Sequence, residues 1–299
     1  MGKILVIGSS NTDMTILTSR FPKPGETIIG GTFLLNAGGK GANQAVAAAR
    51  LGAEVTLIAK LGNDVFGETA LKNFNEEAIN TSHVIIDPQN ASGTALITVN
   101  SSGENMIVVA PGANDYLKPN DIGNLPYLLS INDILLMQLE VPLNTVVHAV
   151  QTAKALGRRV ILNPAPATSL PDELLKDLFM ITPNETEAQL ITGMEVTNEA
   201  TAKQCAHELM KRGVHNVVIT LGSKGAWLST DEHDLLIPAP SVNAVDTTAA
   251  GDVFNGALAH CLSLQSNFIN AVEYACKAAA ISVTRIGAQA SAPWAKEIN

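Results

Sequence analysis

The sequence predicts an α/β protein, a doubly wound and mostly parallel sheet flanked by helices, with a small projecting β-sheet as a lid. Three observations carry this expectation. Short Val/Ile/Leu-rich runs alternate with stretches of helical period along the 299 residues, which is the rhythm of βαβ units. Most of those runs are continuously apolar, as strands covered on both faces should be. Two stretches break the rhythm, and both carry turn residues and alternating apolar positions.

In chain order, Lys3–Ile7 is a buried strand that stops at Gly8. It is too short for the apolar region of a secretory signal, so the expected location is the cytoplasm. Residues 42–51 form a helix closed by Gly52, followed by a strand over 54–59. After a strand at 134–138, a helix over 144–156 ends at Gly157, and strands follow at Arg159–Leu162 and 179–182. A helix over 201–212 ends at Gly213, before the strand Asn216–Thr220. Glycine past each helix end supplies the left-handed residue that closes it. The exceptions are 14–35, containing FPKPGETIIGGTFLL, and 94–110, TALITVNSSGENMIVVA, two alternating runs about a Ser/Gly turn. The second is a β-hairpin signature. Together they make a discontinuous lid, while 1–13, 36–93 and 111–299 form the main domain. The lid's apolar face has to be hidden over a ligand, against a second subunit, or both. Two unrelated surface hairpins are the alternative.

Composition excludes several classes. With 46% hydrophobic and 16% charged residues and no apolar stretch of about 18, the chain reads as globular with no membrane span. A net charge of −9 without a Lys/Arg block offers no footprint for nucleic acid. Cys205, Cys261 and Cys276 are odd in number and widely spaced, against a disulfide framework and in keeping with a reducing compartment. His207-Glu-Leu-Met-Lys211 has Lys where a zinc-binding HExxH needs its second His, so no transition-metal site is expected.

The polar motifs cluster just after predicted strands, at the edge where open α/β sheets bind ligands. GSSNTDM places Asn11 and Asp13 there, either as an Asx turn or as partners for vicinal hydroxyls. NAGGKGANQAVAAARLG puts Gly39, Lys40 and Asn43 at a helix start, as a plain turn or as ligand contacts. It is neither a Walker A loop nor a GxGxxG fingerprint. Glu140 follows a buried strand, as a cap or a contact. In ITPNETEAQLITG, Asn184 and Glu187 suit a capping box or the water shell of a phosphate-held Mg²⁺. TLGSKGAWL, with Thr220, Gly222 and Gly225, is a hairpin turn or a nucleotide wall. VDTTAAGDVFNGAL opens a helix with Ala249, Ala250 and Gly251 and places Asp252 in its first turn, a capped helix or a site for a phosphoryl group.

Two of these motifs carry a resemblance. Gly38-Gly-Lys-Gly-Ala-Asn43 with Ala45, Gly52 and Gly62, and Asp246-Thr-Thr-Ala-Ala-Gly-Asp252 continuing to Gly256, resemble the two signatures of the ribokinase (PfkB) family of sugar kinases. PGET, LNPAPA, TPNETE, TLGSKG and TRIGAQAS extend the similarity over nearly the whole chain. The resemblance implies a ribokinase-like fold and ATP-dependent phosphorylation of a terminal sugar hydroxyl, with Asp252 as base and the Ala249, Ala250 and Gly251 amides as anion hole. It implies that Asn11, Asp13, Gly39, Lys40, Asn43, Glu140 and Asp252 bind sugar hydroxyls. Asn184 and Glu187 would serve phosphate and, through water, Mg²⁺, while Gly251, Thr220, Gly222, Gly225 and Cys276 would meet ATP. Cys276 stands near the adenine where the family commonly has His or Asn. Asp246, Thr248, Ser282, Gly287 and Ser291 would hold a monovalent cation, usually K⁺. A homodimer through the lid follows from the same resemblance.

The acceptor expected is the 5-hydroxyl of D-ribose. A purine acceptor would need broad aromatic surface, and the chain is only 4% aromatic. A 2-deoxy sugar would leave the Asp13 carboxylate one hydroxyl short, at about 1–3 kcal/mol. A deoxyribose kinase, a fructokinase and a non-catalytic sugar-sensing protein are the alternatives.

Overall fold

The computed structural model describes residues 1–298. The strands are β1 Lys3–Ile7, β2 Asn11–Leu17, β3 Thr32–Gly38, β4 Glu54–Ile58, β5 Lys60–Gly62, β6 Ile85–Asp87, β7 Gly93–Val99, β8 Asn105–Ala110, β9 Ile134–Met137, β10 Arg159–Leu162, β11 Met180–Ile181, β12 Asn216–Thr220, β13 Ala226–Ser229 and β14 Asp234–Ile237. The helices are α1 Lys40–Arg50, α2 Val65–Glu76, α3 Leu125–Ile131, α4 Leu143–Ala155, α5 Asp172–Leu175, α6 Glu185–Thr192, α7 Glu199–Lys211, α8 Ala250–Ser263 and α9 Phe268–Ser282. Short 3₁₀ turns link several of them.

The main sheet has the order β14-β13-β12-β11-β10-β9-β1-β4. Strands β4, β1, β9, β10, β11 and β12 run parallel, and β13 and β14 are added antiparallel at one edge. The six parallel strands are those expected from the apolar runs. Strands β13 and β14 lie outside that expectation, because a short antiparallel edge hairpin lacks the continuous apolar character that marks a strand buried between two helical layers. Residues alternate between two cores. Ile4 and Val6 pack with apolar residues of α1, α8 and α9, whereas Leu5 and Ile7 pack with those of α3, α4, α6 and α7. Gly52, Gly157 and Gly213 take positive φ at the helix ends, as their sequence positions suggest.

The smaller sheet has the order β3-β2-β7-β8. It joins the two exceptional stretches, with β7 and β8 as the expected hairpin and β2 beside both partners. It reaches further into the chain than 14–35 and 94–110: β2 begins at Asn11 and β3 ends at Gly38. Asn11 and Asp13 are therefore carried by the small sheet, next to its junction with the main one. Among the described residues, no helix is long and apolar enough to cross a membrane.

Candidate active site

The carboxyl ends of the parallel strands gather the polar motifs on one edge. At the end of β1, the Ser10 amide donates to Asn114 Oδ1 at 2.9 Å, and Asn114 Nδ2 donates to Asn11 Oδ1 at 2.8 Å. The glycines before α1 are demanded by close packing, Gly39 against backbone and Gly38 against a side chain. A Cβ on Gly39, whose φ is +88°, would lie 2.6 Å from the Asn11 amide nitrogen, and one on Gly38 would lie 2.3 Å from the Asp13 carboxylate. Close approach sets Lys40 and Asn43 against the start of β2. Glu140 Oε2 accepts from Ser9 Oγ at 2.5 Å and from the Lys40 amide at 2.9 Å. Glu140 thus caps α1, one of the two roles its position offered.

The opening of α8 is different. Ala249 holds the left-handed conformation at φ 60° and gives no side-chain cap. The Ala250 amide leans on Thr247 O at 3.3 Å, and among the described residues no acceptor takes the amides of Ala249, Gly251 or Asp252. The free donors therefore differ by one from the expected trio, Asp252 standing in for Ala250. The reason is the tight turn, which folds the Ala250 N–H back on Thr247. A Cβ on Gly251 would meet nothing within 4 Å. That open side faces a cavity of about 700 Å³ whose wall includes Lys40, Asn184, Glu187, Thr220, Gly222, Ala249, Asp252 and Cys276.

Asp252 is only 6% exposed. Its Oδ2 accepts from Asn43 Nδ2 at 2.9 Å and its Oδ1 from Gln44 Nε2 at 3.0 Å. Gly256, one turn on, makes this possible, since a Cβ there would lie 2.7 Å from Ala47 Cβ and from Gln44 O. Helix α1 therefore lies close enough to α8 for its amides to reach the carboxylate. Burial holds the Asp252 carboxyl above its ordinary range against the pull of Lys40, Asn43 and Gln44, and Glu140 adds to the rise. Burial by itself would lower Lys40, but Asp252, Glu140, Glu187 and Asp13 together keep its ammonium above the usual value. Asp13 is pushed up to about 6, by burial first and then by Glu140 and Asp252, which outweigh Lys40. Lys40 and Asp252 line the cavity, whereas Asn11, Asp13, Gly39, Asn43 and Glu140 lie outside its wall. Asn43 Oδ1 is buried and has no partner among the described residues.

On the far side, Asn184 and Glu187 form a capping box at α6. Asn184 Oδ1 accepts from the Glu187 amide at 2.8 Å, and Glu187 Oε2 accepts from the Asn184 amide at 2.9 Å. Burial raises the Glu187 carboxyl against the Asn184 amide and Lys40. The turn after β12 is a hairpin and a cavity wall at once. Gly222 faces open space, but Gly225 is fixed by packing, because a Cβ there would lie 2.1 Å from Ile237 O. Cys276 is buried in the wall, its thiol pushed up to about 12 by burial and then by Glu273. Asp246 ties two loops, Oδ1 accepting from the Thr248 amide and Oδ2 from the Gly287 amide, both at 2.9 Å. Burial pushes the Asp246 carboxyl upward, but these donors outweigh it and hold it below its ordinary value. The hydroxyls of Ser282 and Ser291 donate to Ala279 O and Ala288 O, each at 2.8 Å.

Sequence reading missed Gln44, Gln138, Asn163, Thr182 and Asn255, which form a buried hydrogen-bonded group behind Asp252. A signal was present for three of them. Gln138, Asn163 and Thr182 are each the first polar residue after a parallel strand, the same position that marked the motifs that were found.

Known proteins resemble this chain over nearly its whole length. Residues 1–295 match the model of the pfkB family of carbohydrate kinases. The chain is 46% identical to a ribokinase of Haemophilus influenzae over 98% of this chain and 96% of that protein. It is 40% identical to a deoxyribokinase of Salmonella typhi over 99% of this chain and 97% of that one. The structure of Arabidopsis thaliana ribokinase complexed with ribose and ATP superposes with a TM-score of 0.92 at 30% identity, covering 100% of this chain and 98% of that chain. A whole-length family match, joined to an uncapped helix start, a buried aspartate beside it and a lysine among carboxylates, places this chain in the pfkB family of carbohydrate kinases.

Proposed function

We propose that the chain transfers the γ-phosphoryl group of ATP to the 5-hydroxyl of D-ribose. One observation carries the reading: a buried carboxylate, Asp252, stands in the first turn of a helix at whose start the amides of Ala249, Gly251 and Asp252 have no acceptor among the described residues and border a cavity. As the hydroxyl oxygen forms its bond to phosphorus, its proton passes to Asp252 and the bond from phosphorus to the bridging oxygen breaks, releasing ADP. In a loose phosphoryl-transfer transition state the proton leaves late, so a carboxylate suffices as base. The amides of Ala249, Gly251 and Asp252, with the Ala250 peptide between them, meet charge on the transferring group, each donor being worth about 2.7–4 kcal/mol in such sites.

Asn11, Asp13, Gly39, Lys40, Asn43 and Glu140 hold the sugar. The unpartnered Asn43 Oδ1 is a ready acceptor for a sugar hydroxyl. Thr220, Gly222, Gly225 and Cys276 border the nucleotide, and Asn184 and Glu187 its phosphates. Carboxylates on that wall, Glu185 and Glu187, suit a Mg²⁺ held mostly by phosphates; Glu187 would order its waters and the ion would spread phosphate charge. The two loops joined by Asp246 suit a K⁺ held by Asp246, Thr248, Ser282, Gly287 and Ser291, orienting the anion-binding turn by its field. We assign the cytoplasm as compartment, in keeping with three buried free thiols.

The small sheet supports lid and dimer roles together. One face carries Asp13, which is paired with Asn36 and Ala95. The opposite face exposes Ile16, Phe33, Leu35, Leu96, Met106 and Val108, the last at 70%. An apolar face of that kind suits a second copy of the chain. Replacing Leu96 and Val108 with Lys should move the molecule from dimer to monomer in sedimentation velocity.

The test is ADP release with ribose, 2-deoxyribose, fructose and adenosine, each in K⁺ and in Na⁺. Ribose in K⁺ should give the highest kcat/KM. Preference for deoxyribose would return the assignment to the second class of relatives, and no turnover with any sugar would refute it.

A further inference from the structure

Asp252 is gripped at both carboxylate oxygens, and the group gripping Oδ1 is itself fixed. Gln44 Nε2 donates to Asp252 Oδ1 and to Asn163 Oδ1, each at 3.0 Å, while Gln44 Oε1 accepts from Gln138 Nε2 at 2.6 Å. Gln44 and Gln138 are fully buried, and neither lines the cavity. The direction of every amide is forced from the two ends. A carboxylate and a backbone carbonyl only accept, so Asn163 turns Nδ2 to Thr182 O at 3.2 Å and its oxygen to Gln44. Gln44 must then present nitrogen to both Asn163 and Asp252, and oxygen to Gln138. The circuit closes through Thr182 Oγ1, which donates to Asn255 Oδ1 at 2.6 Å, and Asn255 Nδ2, which donates to Gly251 O at 2.8 Å. That carbonyl belongs to the peptide immediately before Asp252.

We propose that Gln44 is the positioning residue for Asp252, fixing the plane of its carboxylate and occupying Oδ1 so that the Oδ2 side, beside Asn43, meets the acceptor hydroxyl. This rests on Asp252 being the base. Gln138 Oε1 has no partner among the described residues, but every bond from Gln44 through Asn163, Thr182 and Asn255 to Asp252 has its polarity specified, which leaves one low-energy arrangement there and holds the carboxylate ready before sugar arrives. The hydrogen bond also favours the charged carboxylate over the protonated one, alongside Lys40 of α1 and against Asp13 of β2, Glu140 after β9 and Glu187 of α6.

The experiment compares Gln44→Leu, Gln44→Glu, Gln138→Leu and Asp252→Asn in the full chain, by ADP release across pH, ribose calorimetry and thermal melting. Gln44→Leu should lower kcat about ten- to a hundredfold, the range for losing a hydrogen bond to a charged group. Ribose KM should stay within about twofold, since Gln44 does not reach the cavity. The acidic limb of the kcat profile should move to higher pH. Gln138→Leu should shift kcat and that limb the same way by less, and Gln44→Glu, which keeps the shape but sets a second carboxyl beside Asp252, should lose more than Gln44→Leu as pH rises. Wild-type kcat and acidic limb in a folded Gln44→Leu protein overturn the proposal. Should that variant fail to fold, the same result in Gln44→Glu or Gln138→Leu overturns it. Asp252→Asn separates the two levels: turnover surviving in it removes the base assignment itself, whereas turnover lost there but unchanged in the Gln44 variants removes only the role of Gln44.

Discussion

Helices α1 and α8 begin side by side at the same edge of the sheet, and they begin differently. Helix α1 opens with a carboxylate on its first amide, since Glu140 accepts from Lys40. Helix α8 opens with no side-chain cap and, among the described residues, with no acceptor for the amides of Ala249, Gly251 and Asp252. A helix start carries about half a positive charge, and the fold normally supplies an anion or a side-chain oxygen to meet it. At α1 the chain supplies its own. At α8 the partner has to come from outside, and a phosphoryl group in transit has the right charge. The contrast also sorts the glycines. Before α1, Gly39 is demanded by neighbouring backbone and Gly38 by the Asp13 carboxylate, while Gly251 in α8 faces open space.

Four substitutions sharpen or break this contrast, in falling order of expected effect. Asp252→Asn should lower kcat by roughly 10²–10⁴, the usual range for a general base, with ribose binding retained in calorimetry. Gly251→Ala should separate activity from stability. A methyl in the path of the phosphoryl group should reduce kcat about a hundredfold, as small misplacements of reacting groups do. The same change should raise stability by roughly 0.5–1 kcal/mol in denaturant titration. A loss of stability instead would mean that Gly251 serves the fold, as Gly39 does. Asp13→Asn should act through pH. In the free enzyme the Asp13 carboxyl is pushed up to about 6, so its charge is lost as pH falls through that value rather than through the usual carboxylate range. Ribose KM should therefore climb by up to about tenfold per pH unit below that point, and the Asn variant should start high and stay flat. Glu140→Ala should cost about 1 kcal/mol of stability through loss of the α1 cap, read by chemical denaturation, with a smaller change in kcat than Asp252→Asn.

Much of the candidate site was legible because chemistry-bearing residues follow strands that announce themselves. Lys3–Ile7, Arg159–Leu162 and Asn216–Thr220 are continuous apolar runs with the bounds the structure gives them. Asn11, Glu140, Asn184 and Thr220 are placed by the ends of β1, β9, β11 and β12. Roles were harder to read than places. Asn184 with Glu187, and Glu140, do engage in the capping that their spacing allowed, and spacing alone cannot say whether a capped carboxylate also meets a ligand. Gln44 was invisible as a partner of Asp252, because the two are 208 residues apart and nothing local to either names the other.

By itself, then, the sequence determined the six parallel strands with helices α1, α4 and α7 between them, the edge at which polar side chains collect, and the bare opening of α8, since periodicity, glycine and charge act over a few neighbouring residues. Only tertiary structure decided that Gly256 lets α1 press against α8, and that Asn43 and Gln44 thereby reach Asp252. Those outcomes depend on distances between segments far apart in the chain, and such distances exist only once both cores have packed around the sheet.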